Sequence, residues 1–264
     1  MIDLVLAERH DTTMLLTLNR PEAGNAIDRG TAQALLAALQ ACQGDASLHA
    51  VVITGTGTRF FCTGGDVKAY ARLESPPELE QVFGLMRDAC ELMERLPCVV
   101  IAAINGYAVG GGAELSVACD LRVMDTTAEI GFPQSRLGLT PGWDGGERLI
   151  RTVGRAHAAM LLFSGVRVDA QRAREIGLVD EMASAGEALQ RALALASSFA
   201  EVAPLSLGAI KELLRDAGGA GGEAAQARAR ARAREAFSRL WFTEDHREAE
   251  RAFAEKRPPR FSGR

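Results

Sequence analysis

The sequence predicts an α/β core over residues 1–185, followed by a helical region over 186–264. Three observations carry this. Two short apolar runs, Ala50–Gly55 and Cys98–Gly106, read as strands buried on both faces, as in parallel sheets. Helical segments alternate with such runs through the first two-thirds of the chain. From about Gly186 onward only helical signals remain. With 264 residues, 47% of them hydrophobic, the chain has ample material for a buried core and is not of disordered composition.

Taken in order, Leu4–Ala7 and Met14–Asn19 read as a hairpin or meander, followed by the turn NRPEAGNAID (Asn19–Asp28). Apolar residues at helical spacing predict a helix over about Thr31–Cys42. Strand Ala50–Gly55 leads to a Gly-rich turn, FFCTGGD (Phe60–Asp66), and then to a helix near Glu78–Leu96. The second buried strand, Cys98–Gly106, leads to GYAVGGGAE (Gly106–Glu114) and a helix through about Cys119. Leu121–Met124 and Glu129–Phe132 are further strand candidates, ahead of PQSRLGLTPGWDGG (Pro133–Gly146) and more helices. DAGGAGGE (Asp216–Glu223) marks a flexible break before two last helices, near Ala224–Trp241 and Glu244–Lys256.

The net charge of −4 argues against nucleic acid or an anionic membrane as the main partner. Four arginines (Arg228, Arg230, Arg232, Arg234) alternate with alanine near the end, as a solvated helix face or as a phosphate- or subunit-binding element. No apolar run approaches the roughly 18–20 residues that span a bilayer. Met1–His10 lacks the basic-then-apolar pattern of a secretory signal, so a cytoplasmic location is expected. Five cysteines (Cys42, Cys62, Cys90, Cys98, Cys119) share no CxxC spacing and suit buried thiols in a reducing compartment. Four scattered histidines form no metal-binding pattern, and no metal is expected.

Two turns share a design: buried strand, glycines, start of a helix. Helix N-termini present unpaired N–H groups that attract anions or a developing oxyanion, and glycine permits close approach of a ligand to the backbone. No GxGxxG, GxxxxGK or GxSxG motif occurs, which disfavours a nucleotide-binding turn or a serine hydrolase. Structural glycines, serving tight packing alone, remain the competing explanation.

INGYAVGGGAELSVACDLRV (Ile104–Val123) resembles the signature of the enoyl-CoA hydratase/isomerase (crotonase) superfamily. So, in the same order along the chain, do NRPEAGNAID, FFCTGGDVK (Phe60–Lys68), LGLTPGWDGGERLIRTVG (Leu137–Gly154) and FTEDHREAERAFAEKRPPRF (Phe242–Phe261). The resemblance implies a spiral of repeated ββα units with a C-terminal helical region that forms trimers or hexamers. It implies a coenzyme A thioester substrate and no cofactor beyond that coenzyme. By motif position, the thioester oxygen would be held by the N–H groups of Gly65 and Gly111. Thr63, Gly64, Gly65, Asp66, Val67 and Lys68 would line the CoA channel. Phe253 and Lys256 match positions that reach CoA on a neighbouring subunit. Lys68 and Lys256 also admit a simpler role as surface residues with extended stems.

Glu114 matches the family's acid–base glutamate; without the resemblance it is a carboxylate placed well for the helix dipole. The second glutamate of family hydratases is replaced here by Gln134, in Phe132–Pro133–Gln134. A glutamine can orient water but cannot exchange a proton. Asp144 is a candidate substitute, although Asp before Gly-Gly is also ordinary turn chemistry. Trp143 would wall the acyl pocket or pack in the core. An enoyl-CoA hydratase is the leading expectation. A malonyl-type acyl-CoA decarboxylase, an isomerase and an acyl-CoA-binding protein without turnover are the alternatives.

Overall fold

The computed structural model describes residues 3–71, 73–218 and 222–264. Strands β1 (Val5–His10) and β2 (Thr13–Leu18) form the expected hairpin. Helix α1 (Arg29–Gln43) is capped by Asp28, whose carboxylate accepts from Thr31 N at 2.8 Å. Strands β3 (Ala50–Gly55) and β4 (Phe60–Cys62) lead to the short α2 (Val67–Tyr70) and to α3 (Pro76–Arg95). Strands β5 (Val99–Ile104) and β6 (Tyr107–Val109) lead to α4 (Gly111–Val117). Strands β7 (Leu121–Asp125) and β8 (Glu129–Gly131) are followed by a 3-10 turn, Pro133–Leu137, and by the helical run α5 (Gly145–Ser164). Gly154, at φ 73° and ψ 163°, interrupts α5. Then come β9 (Arg167–Asp169), α6 (Ala170–Glu175) and β10 (Glu181–Ala183). Four helices end the chain: α7 (Ala188–Ser198), α8 (Pro204–Gly218), α9 (Glu223–Trp241) and α10 (Glu244–Glu255). Of the glycine-rich break Asp216–Glu223, residues 219–221 lie outside the described residues.

Two sheets result. The larger runs β1-β2-β3-β5-β7-β10, with every pair after the first hairpin parallel; the smaller runs β4-β6-β8-β9. Each of the pairs β3/β4, β5/β6 and β7/β8 sends its first strand into the larger sheet and its second into the smaller, followed by helix. This is the repeated ββα unit that the resemblance implied.

The central strands β3, β5 and β7 of the larger sheet are buried on both faces, which explains their continuous apolar runs. Val51, Ile53, Val100, Ala102 and Ile104 face the main core with α1 and α3. The alternate residues Ala50, Val52, Ile101, Ala103 and Val123 face α7, which meets them through Ala188, Ala192 and Ala196. Fully burying a Val or Ile side chain contributes about 1.5–3 kcal/mol, so these strands anchor the framework. Alanines at i, i+4 and i+8 let α7 approach the sheet closely. Among the described residues no single helix is long and apolar enough to cross a membrane.

Candidate active site

The smaller sheet assembles the site. β4 pairs with β6 in parallel register, Phe60 opposite Tyr107 and Cys62 opposite Ala108, and β6 pairs with β8, Val109 opposite Gly131. Parallel neighbours end on the same side. The turns after the three strands, carrying Gly64–Gly65, Gly110–Gly111 and Gln134, therefore lie side by side.

Glycine is required where these turns touch. Gly64 has φ +90°, and a Cβ there would stand 2.7 Å from Gly111 N. A Cβ on Gly112 would stand 1.9 Å from the Cys62 carbonyl oxygen. Neither the Gly65 nor the Gly111 N–H has a hydrogen-bond acceptor among the described residues. The Gly65 amide is flanked by a fixed backbone. Ile27 N donates to Gly64 O, and Asp66 N donates to Ile27 O, each at 2.8 Å. Tyr70 packs its ring over the Gly65 Cα and donates its hydroxyl to Ile27 O at 2.6 Å. Trp143 is buried with its indole against the Gly111 Cα, where a Cβ would come within 2.5 Å of the ring.

Glu114, in the first turn of α4, is 2% exposed, and its carboxylate is held by four donors. Oε1 accepts from Gln134 Nε2 at 2.8 Å and Gly142 N at 3.1 Å. Oε2 accepts from Trp143 N at 2.7 Å and Gly145 N at 3.0 Å. The carboxylate thus reaches from a different helix to the loop ahead of α5 and to the first amide of α5, Gly145 N. Burial pushes the Glu114 carboxyl above the ordinary glutamate range, and the four donors oppose this. A carboxyl moved upward is better matched to proton exchange near neutrality.

Gln134 is buried, and its Oε1 has no hydrogen-bond partner among the described residues. An ionised carboxylate only accepts, so the amide nitrogen faces Glu114 and the carbonyl oxygen is left over. A buried unsatisfied acceptor is rare and expects a donor from elsewhere.

The other predicted residues are placed as follows. Thr63 Oγ1 donates to Gly24 O at 3.2 Å. Asp66 caps α2 by accepting from Ala69 N at 3.1 Å and pairs with Arg20 at 3.0 Å. The Ala69 amide and then Arg20 hold its carboxyl below the usual range against burial. Val67 is 72% exposed, and Lys68 is also exposed. Asp144 is exposed in the left-handed conformation, φ 60°, and takes no part in the hydrogen bonds around Glu114. Phe253 on α10 is 88% exposed, and Lys256 forms the exposed left-handed cap of that helix.

Sequence reasoning missed the loop that holds Glu114. Arg87 Nη1 donates to Gly142 O at 3.1 Å, fixing the peptide whose N–H is that of Trp143, and Arg148 Nη1 donates to Trp143 O at 2.7 Å, fixing the next peptide of the same loop. P-G-W-D-G-G announces a turn, but nothing in it announces which way its amides point. Tyr70 was missed for a similar reason, since no spacing rule links it to Gly65.

The arrangement offers two free backbone donors, a buried carboxylate and an unpaired amide oxygen, which is the equipment for stabilising an enolate and managing one proton. The sequence pattern described as "Enoyl-CoA hydratase/isomerase" matches residues 8–264. The chain is 38% identical over 263 residues to the 2,3-dehydroadipyl-CoA hydratase of Escherichia coli, covering 98% of this chain and 99% of that one. It is 32% identical over 254 residues to the short-chain-enoyl-CoA hydratase of Clostridium acetobutylicum, covering 96% and 95%. The crystal structure of an enoyl-CoA hydratase from Bacillus anthracis superimposes with a TM-score of 0.93 at 30% identity, covering 99% of this chain and all of that one. The chain belongs to the enoyl-CoA hydratase/isomerase family.

Proposed function

We propose that the protein adds water across the α,β double bond of an enoyl-CoA thioester using a single carboxylate. The carrying observation is the pairing of buried Glu114 with a Gln134 whose Oε1 has no partner among the described residues. A water fits this pair by donating one proton to Gln134 Oε1 and the other to Glu114 Oε1, displacing the long contact from Gly142 N. As water oxygen bonds to Cβ, its proton passes to Glu114, and the C=C electrons move onto the thioester oxygen between Gly65 N and Gly111 N. The enolate then collapses, and the Glu114 carboxyl returns the proton to Cα. Gln134 positions the water and exchanges no proton.

Magnitudes support the division of labour. One oxyanion donor is worth about 2.7–4 kcal/mol in a well-studied case. A general acid or base contributes about 10²–10⁴-fold. Backbone donors therefore supply the larger share, and this chain keeps both. The test is turnover of short enoyl-CoA thioesters by wild type and Glu114→Gln: a loss of about 10²–10⁴-fold is expected. Equal rates would remove Glu114 from the chemistry.

One observation favours a second reading. Four donors already occupy the Glu114 carboxylate, which suits a loop-holding role and a reaction that needs enolate stabilisation alone. Decarboxylation of a malonyl-type thioester is such a reaction, and CO₂ release without enoyl-CoA hydration would select it.

The proposal includes a homotrimer or homohexamer, supported by exposed Phe237, Trp241, Phe242 and Phe253 on the C-terminal helices. In that assembly Phe253 and Lys256 would contact coenzyme A bound to a neighbouring copy. A cytoplasmic location is supported by five free, buried cysteines.

A further inference from the structure

A cavity of about 340 Å³ lies at the C-terminal end of α4, between α3, α5, the segment Gly177–Asp180 and α8. Five cations line it, Arg122, Arg148, Arg151, Lys211 and Arg215, against three acids, Glu94, Asp120 and Asp180. The acids are already committed. Glu94 pairs with Arg148 at 2.9 Å and Arg151 at 2.6 Å, Asp180 with Arg122 at 2.8 Å, and Asp120 with Lys211 at 2.7 Å.

The cations exceed the acids by two, with Arg148 and Arg151 sharing Glu94. Arg122 and Arg148 are 5% and 6% exposed, and the Nε of each is buried with no hydrogen-bond partner among the described residues. Arg215 has no ion pair among the described residues. Lys211, by contrast, is saturated, donating to Met93 O and Cys98 O as well as pairing with Asp120. Desolvated guanidinium groups project a stronger potential than exposed ones, because less water screens them. Arg151 and Arg215, at the cavity's exposed side, add free donors in the planar geometry that suits oxyanions.

We propose that this cavity binds a small oxyanion, phosphate or carboxylate, and that its occupancy is felt at the active site through Arg148. That arginine donates to Trp143 O at 2.7 Å, and the Trp143 N–H donates to Glu114 Oε2 at 2.7 Å. One side chain therefore spans from the cavity to Trp143, the residue whose N–H reaches Glu114. The proposal is independent of which acyl-CoA reaction the protein performs.

The chain has two tryptophans, Trp143 and Trp241. In a Trp241→Phe background the emission of Trp143 alone is followed while inorganic phosphate or acetate is added, with sodium chloride at matched ionic strength as control. A saturable change with one or both oxyanions, absent with chloride, is expected. Which of the two saturates at lower concentration identifies the preferred class. Arg215→Gln and Arg151→Gln should each weaken the binding about ten- to a hundredfold, as loss of a charge-assisted hydrogen bond predicts. Arg215→Gln should leave the KM for acyl-CoA unchanged in oxyanion-free buffer. A response equal to that of chloride, an unchanged midpoint in both variants, or displacement by coenzyme A would each overturn the proposal.

Discussion

Replacing Gln134 by glutamate tests the geometry of the site through its electrostatics. The 2.8 Å contact now made by Gln134 Nε2 to Glu114 Oε1 becomes a contact between two buried carboxyls. Two such groups cannot both ionise at hydrogen-bond distance, so the folded protein retains one proton between them. An exposed glutamate titrates near 4.3, and each pH unit above that is worth about 1.36 kcal/mol. Holding the proton at pH 7 therefore costs about 3.7 kcal/mol, falling to about 1 kcal/mol at pH 5. The sign follows from linkage: a carboxyl raised in the folded state stabilises most below its unfolded pKa, and that stability is lost as pH rises. Wild-type Glu114 carries the same sign from burial. At roughly 2–4 °C per kcal/mol for a chain of this size, Q134E should melt about 7–15 °C below wild type at pH 7. The gap should be only about 2–4 °C at pH 5. Thermal unfolding across pH 5–8 reads this directly. A gap that does not change with pH would mean that the two side chains do not meet, and the single-carboxylate reading would fail with it.

Two further outcomes are expected. Gly111→Ala places a methyl 2.5 Å from the Trp143 ring, shifting the indole or the amide; kcat should fall about 10²–10³-fold, the loss typical of one oxyanion donor. Asp144→Asn should change turnover by less than about twofold, since the carboxylate is exposed and asparagine tolerates the left-handed backbone; a drop like that of Glu114→Gln would bring Asp144 into the chemistry.

The larger sheet was legible because burial on both faces writes continuous apolar runs, and Ala50–Gly55 is observed as a strand with those bounds. The smaller sheet was less so. β4, β6 and β9 have three residues each, too short for any period to show, and β6 lies inside a segment that reads as a glycine turn. Yet these strands set the register that brings Gly64 beside Gly111. Glycines marked where backbones come close without saying which backbone they meet. The Gly112 contact with Cys62 O joins residues that no local pattern connects. Asp144 shows the same limit from the other side. The sequence offers it as a substitute for the missing second glutamate; in the structure its carboxylate is exposed, and the residues around it reach Glu114 through their backbone amides.

The site divides between parts that side chains cannot easily change and parts that they can. The thioester oxygen would meet N–H groups from Gly65 and Gly111, whose positions follow from strand register and from Cβ-free contacts at Gly64 and Gly112. Exchanging a side chain at position 134 leaves that geometry alone, because Gln134 approaches from the turn after β8 and reaches Glu114, not the glycines. Glu114 itself is less free. Three of its four donors are backbone amides of residues 142–145, so removing the carboxylate also frees the loop that leads into α5. An isosteric amide at position 114 keeps an acceptor but puts a donor where an N–H already points. Comparing Glu114→Gln with Glu114→Asp therefore separates proton transfer from loop support: aspartate keeps the charge while withdrawing it from the amides. If support dominates, both variants should lose stability and turnover together; if proton transfer dominates, E114Q should lose far more turnover than stability.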